Sequence, residues 1–300
     1  MKFRYLVIVL AAAVALSSCS LKKLSVDATN AFMQDNDPEL VGDSLPLVLK
    51  MMDILATSNP DNTNILSTAG SLFVMYSNAY LHTPADMLSY DEYEKQAEMY
   101  GRAKKLYRRG YDYITASLNR KYKGFLDNLE KGNYDRAFAK IKKKDAADLY
   151  WGSAAILAGV AVDVLDPYFA SDRDRGIAML MKAAELDPDF GKGMLDELLM
   201  QFYASMPQGM GGSLEKAAEH YRHGLELSGD NLLSLHVSYA LTVCTKNQTQ
   251  EGYSEFVSVL EDVISRDIDR IAENRLTNTM SIKKAKWLLD NKDNYFLIGF

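Results

Sequence analysis

Between Gly176 and Gly229 the chain writes one pattern twice. Gly176, Leu180, Ala183 and Pro188 recur by type as Ala217, Tyr221, Gly224 and Gly229, in steps of four, three and five residues. Residues three and four apart share a helix face, so each copy sets a large side chain between two small ones. The small residues let a neighbouring helix come close, the large one fills the groove, and Pro or Gly stops the helix. Between the copies, Leu195, Leu198, Leu199 and Phe202 form the apolar stripe of another helix. One such helix pair cannot cover its own apolar face. Stacked pairs must bury one another, which predicts an all-α chain built as an α-solenoid.

The spacing resembles that of the tetratricopeptide (TPR) repeat, with the doubled pattern as its second helix and the Leu195–Phe202 stripe as its first. Extended along the chain, it predicts about four cryptic, irregular TPR helix pairs with flanking N- and C-terminal helices, over residues 38–300. Asp37-Pro38-Glu39 is a helix start, with Asp as N-cap, Pro in the first turn and an acid at the positive end of the dipole. The helix that follows carries Val48, Met52, Leu55 and Pro60 at the inward spacing, and Pro46 should kink it. Leu66, Ala69, Gly70 and Phe73 continue the phase. After a loop over residues 82–93, one long helix spans Tyr93–Leu118 with Ala103, Tyr107 and Gly110 inward. The stretch Lys121–Lys144 reads as irregular, broken at Gly124 and Gly132. Trp151, Ala154, Ala155 and Ala158 open the next pair, and residues 166–174 read as a loop. Leu232–Cys244 and Tyr253–Ile264 form a further pair. A last helix, roughly Asp269–Leu289, is the polar-faced cap that a solenoid needs.

The first residues are an address. Lys2 and Arg4 precede the apolar run Tyr5–Leu16. That run is too short for a membrane span, which needs about 20 apolar residues, and fits a secretory signal. It ends Leu16-Ser17-Ser18-Cys19, which resembles the lipobox of bacterial lipoproteins. The resemblance implies a signal peptide over residues 1–18, palmitate-type acylation at Cys19, and a lipidated tether over 19–37. Two or three acyl chains, at about 0.8 kcal/mol per buried CH₂, hold a domain at a membrane almost permanently.

At 48% hydrophobic and 25% charged, the chain can build a sizeable core. Its net charge of −6 argues against nucleic acid as a partner. The charge is uneven: Arg102–Lys144 holds 14 lysines and arginines against 4 acids. Nothing resembles a catalytic motif, and no cofactor or metal is implied. His220 and His223 with Glu219 lie one turn apart, too few for a metal site, and read as a solvated helix face. Gly209–Ser213 reads as a turn with Ser213 as N-cap, and Cys244 as a buried small hydrophobe. The 18 tyrosines are a surplus. Tyr76, Tyr80, Tyr100, Tyr111 and Tyr150 fall on helices whose inner faces would form one concavity, where aromatics with a polar tip suit a ligand or pore lining.

Five blocks in order resemble the T component of TRAP transporters. They are residues 36–81, 102–121, 149–163, 202–228 and 275–296, the second reading RAKKLYRRGYDYITASLNRK and the fourth FYASMPQGMGGSLEKAAEHYRHGLELS. The resemblance covers nearly the whole mature chain. It implies a lipid-anchored protein facing the periplasm, no enzyme, associating with the TRAP substrate-binding protein (the P component) and assembling into trimers. Within that reading, the basic Arg108, Arg109, Lys142 and Lys143 are candidates for docking the P component. Anionic lipid headgroups are the rival occupant of the basic segment. A carrier or conduit for a hydrophobic or organic-acid ligand in the concavity is the alternative function.

Overall fold

A computed structural model describes residues 31–297; Cys19 and the signal and tether expectations before residue 31 lie outside them. Thirteen α-helices can be numbered between residues 38 and 290, and the described residues contain no strand.

The first, α1 (Pro38–Ser58), starts where its residues dictate: Asp37 caps it by accepting from Leu40 N, with Pro38 in the first turn. It runs on through Pro46. After it come α2 (Thr63–Ser77), the short α3 (Thr83–Asp86) and the long α4 (Tyr93–Lys121). A π-helical turn, Asn78–His82, joins α2 to α3. Two short helices, α5 (Phe125–Glu130) and α6 (Tyr134–Phe138), follow breaks at Gly124 (φ 81°) and Gly132 (φ 71°), a region that favours glycine. Then come α7 (Ala146–Val162), α8 (Pro167–Leu186), α9 (Met194–Ser205) and α10 (Leu214–Ser228), the last capped by Ser213. The chain finishes with α11 (Leu233–Thr242), α12 (Gln250–Ser265) and α13 (Arg275–Asp290).

Helices α2, α4, α7 and α8 pack as consecutive neighbours, and α2 also touches α7. From α9 to α13 each helix packs on the next, and α9, α11 and α13 also meet in turn. Such next and next-but-one packing is how a solenoid stacks. The stripes read from the sequence turn inward: Leu66, Ala69, Phe73, Ala103, Tyr107, Leu180, Ala183, Leu195, Leu199 and Ala217 are buried. One close crossing is glycine on glycine. A Cβ on Gly110 would lie 2.8 Å from the Gly70 carbonyl oxygen, and one on Gly70 would lie 2.8 Å from that of Gly110.

Three expectations are corrected. Residues 167–174 are helix, not loop: Asp166 caps α8 by accepting from Tyr168 N and Phe169 N, with Pro167 in the first turn. The last helix begins at Arg275, after two 3₁₀ turns. The α1 register is also different, since the helix buries Val41, Leu45, Leu49 and Ala56 and leaves Leu55 exposed. A terminal helix has neighbours on fewer sides than a repeat in mid-stack, so its apolar spacing does not report one inward face.

The two ends of the stack meet. Helix α13 packs against α1, Arg275 donates to the Gln34 carbonyl at 3.3 Å, and Lys283 Nζ lies 3.6 Å from Glu39. The last helix therefore touches the first as well as its own neighbours α11 and α12.

Candidate functional site

The tyrosines named from sequence fall into separate groups. Tyr76 and Tyr80 stack with centroids 5.4 Å apart, and the Tyr80 ring covers Gly42, where a Cβ would lie 2.6 Å from it. Burial pushes the Tyr80 hydroxyl up to about 12. The π turn that follows brings His82 into the same region. His82 Nδ1 shares a 3.0 Å hydrogen bond with the Tyr107 hydroxyl, and its ring meets Tyr100 and Tyr107 edge-on. Tyr100 donates to Asp86 Oδ1 at 2.9 Å. Burial holds the His82 pKa below its usual value, partly opposed by Asp86.

A second polar group comes from α9 and α11. Ser234 and Ser238 each donate to Glu197 at 2.6 Å, and Gln201 donates to Ser238 at 2.9 Å. Glu197 keeps some accessible surface, yet surrounding chain desolvates it enough to raise its pKa. The charge of Lys284 on α13 contributes slightly to lowering the His82 pKa and slightly opposes the burial effect at Glu197. Tyr150, packed on Trp151 and Phe190, lies close enough to Glu197 for that charge to raise its own pKa.

Of the five tyrosines named from sequence, Tyr100 meets His82, Tyr76 and Tyr80 stack together over Gly42 of α1, and Tyr150 packs on Trp151 and Phe190. Tyr111 stands apart, buried where α4 meets α8, in reach of the charges of Asp172 and Arg175. His82, Glu197 and Lys284 were not singled out in the sequence. His82 ends the π turn, Glu197 stands beside Asp196 on α9 and Lys284 beside Lys283 on the polar α13, so no spacing marks them out.

The basic candidates split as well. Arg108 stacks over Tyr168 at 4.2 Å, and Arg109 lies 3.7 Å from Asp53 and over the Phe73 ring at 5.3 Å. Lys142 is exposed, and Lys143 pairs with Asp187 at 2.9 Å. That pair sits by the far end of α4, where Lys121 pairs with Asp145 at 3.2 Å. Arg108 and Lys121 are separated by about 20 Å of helix at 1.5 Å per residue, so the four do not form one patch. His220 and His223 do not simply face solvent: both Nδ1 atoms donate to buried Asp196, at 2.8 and 3.0 Å. Among the described residues no group of three or more His, Cys, Asp or Glu could hold a metal ion.

The fold defines an all-helical, solenoid-like protein in which no described helix is long and apolar enough to cross a membrane. Residues 34–296 match the family described as TRAP transporter T-component, so the chain belongs to the T-component family of TRAP transporters. It is also similar to an uncharacterized protein of Treponema pallidum (strain Nichols), 32% identical over 274 residues, covering 90% of this chain and 84% of that one.

Proposed function

We propose that this protein is a lipid-anchored, periplasm-facing scaffold of a TRAP-type solute transport system that docks the P component and catalyses no reaction. The observation that carries the reading is the family match, which spans nearly every described residue. The anchor is Cys19, and the assembled form is a homotrimer. The helical stack supports the role physically, since a rigid surface with little backbone rearrangement lowers the entropy cost of docking.

Two polar groups favour a second role beside docking: His82 with Tyr100 and Tyr107, and Glu197 with Ser234 and Ser238, set hydrogen-bonding groups among aromatic and apolar side chains, the chemistry a ligand site uses. A ligand released by the P component could be held there.

Gentle purification of the wild-type protein from its own membranes tests both roles. The expected result is co-elution with the P component, and a native mass spectrum with masses of three chains. A bound organic mass lost on Lys284→Ala would support the carrier role. A protein that elutes without the P component after mild crosslinking would overturn the scaffold reading.

A further inference from the structure

The turn Asn78–His82 is the one π-helical segment among the described residues. Turns of this kind are rare and frequently stand at functional positions. This one ends on His82, whose side chain is 13% exposed. Side-chain hydrogen bonds tie the turn and α3 to α4. Ser77, just before the turn, donates to the Ala103 carbonyl at 2.8 Å. Gln96 donates to the Ala85 carbonyl at 2.9 Å, Tyr100 donates to Asp86 at 2.9 Å, and His82 shares its bond with Tyr107. Of these ties, the imidazole is the one that ordinarily titrates between about pH 5 and 8.

The neighbours select the tautomer. Nε2 lies 3.6 Å from the Asp86 carboxyl, which favours the ring proton on that side, so Nδ1 accepts from the Tyr107 O–H at 3.0 Å. A second proton goes to Nδ1. It turns that acceptor into a donor facing a fully buried hydroxyl, which must then direct its own hydrogen elsewhere. The charges that act on the ring are those of Asp86 on α3 and Lys284 on α13. Helix α4 presents Tyr100 and Tyr107, and α2 offers Tyr76, stacked on Tyr80, but no charged residue.

We infer that His82 is an acid-sensitive latch: neutral, it fastens the π turn and α3 to α4, and protonated, it releases them. Burial holds its pKa below the usual value; Asp86 opposes the shift and Lys284 adds slightly to it. The folded state therefore takes up this proton less readily than the unfolded chain. No stability is lost above the unfolded value of 6.5, and stability falls as pH drops below it through the folded value. The joint stays shut near neutral pH and opens locally in acid, while the rest of the stack remains folded. Release takes apart the polar group of His82, Tyr100 and Tyr107, yet the latch is tested with no ligand present.

The test is amide hydrogen exchange on the full chain, with protection corrected for intrinsic rates. Wild-type protection over residues 77–87 should fall between about pH 8 and about pH 5, while that of α7 should hold. In His82→Gln, which keeps a neutral hydrogen-bonding side chain, protection should stay level across the same range. Asp86→Asn keeps an acceptor for Tyr100 but removes the carboxyl that favours the imidazolium, so its fall should be at least as large as the wild type's. A shared far-ultraviolet circular dichroism spectrum at about pH 8 checks that all three fold alike. Equal falls in the wild type and His82→Gln would overturn the latch. So would level wild-type protection down to about pH 5, or a smaller fall in Asp86→Asn than in the wild type.

Discussion

The same substitution at two positions of α4 should move stability in opposite directions. Gly101 has open space where a Cβ would go, so Gly101→Ala brings only the helix-propensity gain of about 1 kcal/mol. At Gly110 a Cβ would stand 2.8 Å from the Gly70 carbonyl oxygen and 2.6 Å from Val74 Cγ2. Val74 can turn away, but the carbonyl belongs to the backbone of α2, so the helices must separate. Overpacking of this kind costs about 1–3 kcal/mol and, set against the propensity gain, leaves a loss of up to ~2 kcal/mol. The difference between the two variants is the cleaner quantity, about 1–3 kcal/mol, because chain, helix and chemistry are shared. At roughly 2 °C per kcal/mol for a chain of this size, Gly101→Ala should melt about 2 °C higher and Gly110→Ala level or several degrees lower. Thermal denaturation followed at 222 nm reads both. If Gly110→Ala gains as much as Gly101→Ala, the α2–α4 crossing is not where the packing places it.

Lys121 is the cation for two sequestered acids, Asp148 at 2.7 Å and Asp145 at 3.2 Å, so Lys121→Met should cost about 3 kcal/mol, read as a drop in the urea midpoint. Glu197 has its folded pKa raised by burial, so its contribution is fully present below the unfolded value of 4.5 and is lost as pH rises through the folded one. Glu197→Gln should therefore melt above wild type at pH 8, with the gap closing toward pH 4; a gap independent of pH would refute the burial. Cys244 is buried with its thiol pushed up to about 12, so it should react with a disulfide reagent only at the rate of unfolding.

The stack was legible because its determinants are local. Capping and breaking residues such as Asp37, Pro38, Gly124, Gly132 and Ser213 act within one turn, and the spacing around Ala183 and Ala217 reports a face directly. The 166–174 stretch was misread because its charges, Asp172 to Arg175, look like a loop. Asp166 and Pro167, the true start, stand just before them. The tyrosine surplus marked no single place, since Tyr76 and Tyr80 stack over α1, Tyr100 meets His82 and Tyr111 is buried by α8, and the contact of α13 with the start of the chain spans about 240 residues of sequence. No local spacing encodes such a contact. The histidine pair misled for the same reason, since its partner Asp196 lies on the preceding helix.

The scaffold role is tested most directly by immobilising the Cys19→Ser protein and passing the P component of its transport system over it, with no membrane present. The account predicts a saturable complex that forms without the lipid anchor, and no complex from low to physiological salt would contradict the scaffold.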